Sequence, residues 1–122
     1  MNIDANHCSV EDALGILVGK WKPIILLHLM EKGTVRFSDL KRSIPGVTQK
    51  MLTKHLRELE NEEIIDRVVY PEVPPRVEYS ISEYGRTLED LLHAMHEWGQ
   101  AHTMRKQQKL QENTRTKAQA PV

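Results

Sequence analysis

The sequence is poor in cysteine, in aromatic residues and in long apolar runs. Cys8 is the only cysteine among 122 residues, so the chain cannot form an internal disulfide bond or a cysteine-rich zinc site. Aromatic residues make up 5% of the chain, so the core must consist mainly of aliphatic side chains. No apolar run approaches the roughly 20 residues that span a bilayer, and residues 1–10 lack the basic and apolar regions of a signal peptide. We therefore expect a cytoplasmic protein that does not enter a membrane.

The motifs of common enzymes and metal proteins are also missing. There is no Gly-rich phosphate loop, no nucleophile–base constellation and no carboxylate pair in an apolar setting, so we expect no catalysis and no cofactor. His93 and Glu97 lie one helical turn apart, with His96 and His102 nearby. A zinc site needs three or four converging ligands, and His96 lies on a different helical face from His93. We interpret these histidines as surface or interface residues and predict no metal site.

The net charge is zero, which by itself does not suggest a polyanionic partner. The charges are unevenly distributed, however. Residues 40–57 contain five basic residues and no acidic one, whereas residues 58–66 contain five acidic residues. A clustered basic segment is informative about nucleic-acid binding even when the total charge is neutral.

The hydrophobic pattern predicts one mostly helical α+β domain. Apolar residues recur at helical spacing in residues 9–18, 22–31, 38–44 and 48–62, with a short β-prone link at residues 34–37. Residues 65–70 and 76–81 have the pattern of strands, and three prolines in residues 71–75 predict the stiff tip of a hairpin. Ser82 is predicted to begin a last long helix. We assign residues 1–112 to the domain and residues 113–122, where apolar side chains are rare, to a disordered tail.

The fourth predicted helix separates into two faces when wrapped at about 100° per residue. One face is apolar and carries Met51, Leu52, His55, Leu56 and Leu59. The opposite face is polar and basic, and carries Gln49, Lys50, Thr53, Lys54 and Arg57. The first face is expected to lie in the core and the second to remain accessible.

This order of elements resembles the HxlR-type transcription regulators, which are relatives of the MarR group. The resemblance covers roughly residues 8–98. It rests on Gly19-Lys20-Trp21, Arg36-Phe37-Ser38-Asp39-Leu40, Ile44-Pro45-Gly46-Val47, Gln49-Lys50-Met51-Leu52-Thr53, Leu56-Arg57-Glu58-Leu59-Glu60 and Pro74-Pro75-Arg76-Val77-Glu78-Tyr79-Ser80. It implies a winged helix-turn-helix fold with a β-hairpin wing at residues 65–81 and N- and C-terminal dimerisation helices. It also implies a homodimer that binds pseudo-palindromic operators, usually as a repressor.

The polar face of residues 48–62 is then the predicted recognition helix, because the major groove of B-DNA admits one α-helix. Gln49 and Thr53 are expected to address bases, and Lys50, Lys54 and Arg57 to contact phosphates or guanine. The preceding helix and the wing add candidate phosphate contacts at Arg36, Lys41, Arg42 and Arg76. For Arg76, pairing with a glutamate across the hairpin is the alternative. An ordinary solvated helix face is the alternative for the whole set, and a winged-helix module that binds protein instead of DNA is the alternative function.

The last helix offers more apolar surface than one small domain can cover. We expect burial against a second copy of the chain, with the first helix alongside, whereas packing of the whole stripe within one chain is the alternative. The predicted interface residues are Leu14, Leu17, Leu88, Leu91, Leu92, Met95 and Trp98.

Cys8 stands immediately before the first helix, where the helix dipole and a protonated His7 favour its thiolate. Regulators of this type often carry a cysteine here, and some are implied to sense quinones, aldehydes or oxidants with it. With one cysteine, the chemistry is limited to alkylation, a mixed disulfide with a small thiol, or pairing with Cys8 of a second subunit. A small residue packed at the dimer interface is the alternative.

Overall fold

The structure, a computed structural model, describes the backbone of residues 3–119 and the side chains of residues 3–6 and 8–116. The chain divides after Glu89 into two compact units. The first unit contains short 3-10 turns at Ala5–His7 and Gly85–Leu88 and the elements α1 (Val10–Leu17), α2 (Trp21–Lys32), β1 (Val35–Arg36), α3 (Phe37–Ser43), α4 (Gln49–Asn61), β2 (Ile65–Tyr70) and β3 (Arg76–Ile81). The second unit consists of α5 (Glu89–Gln119), apart from its first residue.

The helix boundaries follow local chemistry. Thr48 begins α4 as predicted, because its hydroxyl accepts a hydrogen bond of 3.1 Å from the backbone N–H of Met51. Gly33 ends α2 with a positive φ of 82° and donates its N–H to the carbonyl oxygen of Leu29 at 2.9 Å. Ser9 precedes α1 at the predicted position, but its side chain makes no capping hydrogen bond.

The sheet contains three antiparallel strands in the order β1-β3-β2. Strands β2 and β3 pair along their whole length, from Ile65 opposite Ile81 to Tyr70 opposite Arg76. Residues 71–75 therefore form the tip of the hairpin, where the prolines predicted it. Together with α3 and α4, this sheet confirms the predicted winged helix-turn-helix architecture.

The core of the first unit is aliphatic, as the scarcity of aromatic residues predicts. The buried face of α4 packs its side chains into this core together with residues from α2, α3 and the start of the hairpin. The most deeply buried side chains are Ile25, Leu26, Leu29, Leu40, Ile44, Leu52, Leu56, Leu59, Ile64 and Ile65.

The prediction that the last helix begins at Ser82 is wrong. The Ser82 hydroxyl lies 2.6 Å and 2.9 Å from the carbonyl oxygens of Glu63 and Ile64, and it accepts a 2.8 Å hydrogen bond from the N–H of Gly85. Ser82 is thus buried and serves the hairpin junction. The chain then makes the 3-10 turn, and α5 starts at Glu89.

Helix α5 continues through Gln119, into the segment predicted as a disordered tail. Gln, Lys and Arg are good helix formers even where apolar residues are rare, which explains why hydrophobic periodicity places the end of the helix too early. Residues 120–122 of the predicted tail lie outside the described residues.

Among residues 3–119, no single helix has both the length and the apolar composition needed to cross a bilayer. Helices α1 and α2, which are bent by 80° relative to each other, meet that length and composition only when counted as one segment.

Candidate nucleic-acid interface

Helix α4 presents the two faces that its sequence predicts. Leu52, Leu56 and Leu59 on one face are at most 1% exposed. Met51 and His55, predicted on the same face, are half-buried at its margin. The opposite face is accessible: Gln49, Lys50, Lys54 and Arg57 are exposed and Thr53 is half-buried. The leucines therefore hold the helix in the core while its polar side chains point away from it.

Three shallow grooves meet along this accessible face. The first follows α4 itself, the second separates α3 from α4, and the third lies between these helices and the wing. Gln49 borders the first two grooves, and Thr53 borders the first and third. The grooves together bring all nine predicted DNA contacts to one surface: Arg36, Lys41, Arg42, Gln49, Lys50, Thr53, Lys54, Arg57 and Arg76. We call this surface the α4 surface.

Most cations of the α4 surface have no acidic partner. Within the described residues, no carboxylate forms an ion pair with the side chains of Arg36, Lys41, Lys50, Lys54 or Arg57. Unpaired exposed cations side by side repel one another, and a polyanion relieves that repulsion. The α4 surface therefore has the electrostatic character of a phosphate-binding surface.

Two of the predicted contacts do have partners. Arg42 forms an ion pair with Asp39 one turn earlier on α3, although its side chain remains 77% exposed. Arg76 lies 3.4 Å from carboxylate oxygens of both Glu72 and Glu78, and its guanidinium stacks over the ring of Tyr70 at 4.1 Å. Neither carboxylate is the glutamate across the hairpin that the sequence left open, because Glu78 lies on the same strand as Arg76, Glu72 lies in the tip, and Tyr70 is the residue opposite Arg76.

Arg67 is a candidate that the sequence interpretation missed. It lies on β2 opposite Tyr79, is exposed, and borders the groove between the wing and the helices. Phe37 and Ser38 at the start of α3 border the same groove. The register of the hairpin determines which β2 side chains lie on the side of α3. Knowledge of that register would have identified Arg67 as a candidate.

Glu58, the first acidic residue after Arg57, forms an ion pair between two helices. Its carboxylate lies 2.6 Å from Nζ of Lys22, whose side chain is 12% exposed. The hydrogen bond and the positive charge of Lys22 lower the pKa of Glu58, with smaller contributions from Lys54 and His55. This ion pair joins α2 to α4. The carboxylate next to Arg57 in the sequence is therefore paired with Lys22.

The predicted dimer residues differ in how exposed they are within one chain. Leu17 and Leu92 are 5% and 3% exposed within one chain, so they cannot supply much surface to a partner. Leu88 is half-buried. The accessible members are Leu14 on α1 and Leu91, Met95 and Trp98 on α5, with exposures between 41% and 69%. Val10 and Val18 on α1, which the prediction omitted, are exposed as well.

Cys8 follows the first 3-10 turn and precedes α1 by two residues. It is half-buried, and its carbonyl oxygen accepts a hydrogen bond of 3.4 Å from the N–H of Glu11 in the first turn of α1. The backbone thus fixes Cys8 against the N-terminal end of that helix. Among the described side chains, no three His, Cys, Asp or Glu residues converge on a point that could hold a metal ion. His102 instead stacks on Trp98 with ring centroids 5.0 Å apart.

Known proteins share this fold and much of this sequence. The HxlR-like helix-turn-helix family matches residues 16–107. The HTH-type transcriptional regulator YtcD of Bacillus subtilis (strain 168) is 54% identical over 99 residues, which cover 81% of this chain and 78% of YtcD. The structure of the redox regulator HypR in its oxidised form is similar, with 49% identity, a TM-score of 0.71, and coverage of 77% of this chain and 96% of HypR. A MarR-family transcriptional regulator from Porphyromonas gingivalis W83 has 34% identity and a TM-score of 0.73, and the match covers 82% of this chain and 97% of that regulator.

Proposed function

Because this chain belongs to the HxlR-like helix-turn-helix family and is a helix-turn-helix transcriptional regulator, we propose that it represses transcription in the cytoplasm by binding a pseudo-palindromic DNA operator as a homodimer. The observation that carries this proposal is the α4 surface. It combines a helix held by buried leucines with five cations that have no ion-pair partner within the described residues.

Helix α4 enters the major groove in this proposal. Gln49 and Thr53 lie toward its N-terminal end, where a recognition helix contacts base edges, and their side chains donate and accept hydrogen bonds. Lys50, Lys54 and Arg57 provide positive charge for phosphates, and Arg57 can also form paired hydrogen bonds with guanine.

Helix α3 and the wing border the same surface and contact the duplex backbone on either side. Lys41 and Arg42 project from α3, and Arg36 and Arg67 flank the groove beside the wing. Phosphate contacts fix the orientation of a protein on DNA without reading sequence. Arg76 can join them only by loosening its contacts with Glu72 and Glu78.

A symmetric dimer supplies the second recognition helix. The exposed apolar side chains of α1 and those of α5 offer the contact surface for a second copy. An operator with matching two-fold symmetry presents two half-sites about 34 Å apart, one turn of B-DNA, one for each α4 helix.

DNA binding is tested by the double substitution Lys54→Ala and Arg57→Ala. Each side chain is exposed on α4 and makes no ion pair within the described residues, so the fold should be unaffected. We expect the double variant to lose the electrophoretic shift of the intergenic DNA beside its own gene at concentrations where the wild-type protein shifts all of it. Circular dichroism and sedimentation should remain as in the wild type.

The matched control is Arg86→Ala, which removes an exposed cation from the 3-10 turn before α5. It should shift the same DNA as the wild type does. Equal binding by the double variant and the control would rule out α4 as the recognition helix. Absence of binding by the wild-type protein to any fragment of genomic DNA would favour the alternative of a winged-helix module that binds protein.

We further propose that Cys8 senses an oxidant or electrophile. Its fixed place at the N-terminal end of α1 and the similarity to the redox regulator HypR support this role. An electrophile such as a quinone adds to the Cys8 thiolate, whereas diamide oxidises Cys8 and a small thiol to a mixed disulfide and takes up their two electrons and two protons. Either product enlarges the side chain beside α1, where a second subunit is proposed to pack.

Cys8→Ser tests the sensor. Wild-type protein bound to its operator should be released by diamide with glutathione or by a quinone, and reductant should reverse only the diamide effect. The serine variant should bind the operator equally well and remain bound under both treatments. Equal release of both proteins would show that Cys8 is not the sensor and would leave it as a packing residue.

A further inference from the structure

The second half of α5 carries three basic residues in a segment that ends at Glu112, one turn beyond Lys109. No acidic residue lies between Glu97 and Glu112, and this interval contains Arg105, Lys106 and Lys109. All three basic side chains are exposed. Among the described residues, none of them forms an ion pair. Their positive charge is therefore available to a partner outside the chain.

These cations continue a face of α5 that is apolar nearer its start. Trp98, His102, Arg105 and Lys109 follow one another at intervals of four, three and four residues, which places them on one side of the helix. The stacked rings of Trp98 and His102 show the contiguity of this face directly. A subunit interface is depleted of charge at its core, so the apolar part of the face suits a second copy and the cationic part does not.

The cationic part also lies at and beyond the end of the family match. That match ends at residue 107, whereas α5 continues to Gln119 and extends for about 46 Å in total at 1.5 Å per residue. HypR, of which the alignment covers 96%, matches only 77% of this chain. Lys109 and the last turns of α5 therefore lie beyond the segment that the family match covers.

We propose that Arg105 and Lys109, with Lys106 at the edge of the same face, bind phosphates of duplex DNA. The inference rests on the proposed function, because it takes its polyanion to be the DNA that the α4 surface holds. Exposed ammonium and guanidinium groups on one helix face suit phosphates, which they contact without regard to sequence. The α5 contact therefore adds affinity and salt dependence, while α4 supplies specificity.

The test compares Arg105→Gln/Lys109→Gln with the control Arg86→Gln/Arg115→Gln, which removes the same charge. Arg115 is exposed on another side of α5. The probes are fluorescent random-sequence duplexes of about 20 and 60 base pairs, titrated between about 50 and 200 mM salt, the range over which counterion release changes affinity strongly. On the longer duplex, the slope of log affinity against log salt should fall by about 1.8 per protomer for the Arg105/Lys109 variant, at about 0.9 per lost phosphate contact. The control should keep the wild-type slope.

The outcomes separate this inference from the proposed function. On the shorter duplex, which offers fewer phosphates, the Arg105/Lys109 variant should differ less from the wild type than on the longer one. A wild-type slope for this variant on the longer duplex, with binding still abolished by Lys54→Ala/Arg57→Ala, would overturn the α5 inference alone. Dissociation of the variant dimer in sedimentation would also overturn it, because the cationic face would then belong to the subunit contact.

Discussion

At the scale of single residues, the junction after the hairpin depends on one hydroxyl and one missing methyl group. Ser82 bridges the turn after α4 to the N–H of Gly85. A Cβ atom on Gly85 would lie 2.0 Å from the carbonyl oxygen of Ile64 and 3.2 Å from Cγ2 of Ile81. The backbone at position 85 can pass this close to the carbonyl group of Ile64 only because it has no side chain.

Gly85→Ala should therefore destabilise the protein by roughly 2 kcal/mol or more, the range of overpacking against a backbone that cannot move away. The matched control is Gly15→Ala in α1, where a Cβ atom meets nothing within 4 Å. That change should stabilise the protein by about 0.5–1 kcal/mol, because alanine favours a helix. Urea denaturation measures both, and a Gly85→Ala protein as stable as the wild type would contradict the close approach.

The two arginines of the wing were only partly predictable from the sequence. Both Arg67 and Arg76 lie in predicted strands. Both arginines border the groove between the wing and the helices, but Arg76 also lies beside Glu72. The register of the strands and the position of Glu72 decide which arginine has a carboxylate partner, and the residue type gives neither of them. Residue type therefore predicted positive charge in the wing but did not predict which arginine has an acidic partner.

At the scale of elements, the ion pair between Lys22 and Glu58 ties α2 to α4. The two groups are 2.6 Å apart, and Lys22 is largely buried. Lys22 lowers the pKa of Glu58 below the usual 4.5. A carboxyl group whose pKa is lower in the folded state contributes stability above its unfolded pKa, and that contribution disappears as the pH falls through the folded pKa.

We expect Glu58→Gln to lower the free energy of unfolding by up to about 1 kcal/mol near pH 7, a value limited by the partial exposure of Glu58. As the pH falls below 4.5 and then through the lowered pKa of Glu58, the difference from the wild type should shrink toward zero, because wild-type Glu58 becomes protonated. Denaturation at a series of pH values measures it. The control is Glu62→Gln, whose side chain has no ion-pair partner within the described residues; an identical pH profile for both variants would contradict the role of Lys22.

The elements themselves were largely predictable, and the exceptions have physical causes. Periodicity and end signals such as Thr48 and Gly33 place α1, α2, α4 and both long strands within a few residues of their observed bounds. The start of α5 was misplaced because serine is a common N-cap residue. The hydroxyl of Ser82 instead donates to the carbonyl oxygen of Glu63 and accepts from the N–H of Gly85. The end of α5 was misplaced because polar helix formers give no hydrophobic period.

At the scale of the whole molecule, one chain leaves several large apolar side chains exposed. Leu91, Met95 and Trp98 are 41%, 43% and 69% exposed on α5. Large exposed apolar groups that share a helix face mark an interaction site. The proposed homodimer would bury them and bring two α4 helices to one operator.

Met95→Glu combined with Trp98→Glu should weaken self-association by at least about 30-fold, since one interface hot spot contributes about 2 kcal/mol or more. Sedimentation equilibrium at micromolar concentration should show monomers for this variant and dimers for the wild type. Met104→Glu is the control, because Met104 is 56% exposed but lies about 120° around the helix from Trp98. A wild-type protein that sediments as a monomer would contradict the dimer itself.

The sequence by itself determined the helical periods, the breaks between them, the aliphatic core and the two faces of α4, because each depends on side chains that are close along the chain. The tertiary structure decided which of those groups meet. It brought nine predicted contacts around three adjoining grooves, gave Arg76 two carboxylates, bound Glu58 to Lys22 and buried Leu17 and Leu92 within one chain. Contacts between distant segments depend on how whole elements pack against one another, and this packing cannot be predicted from the local sequence alone.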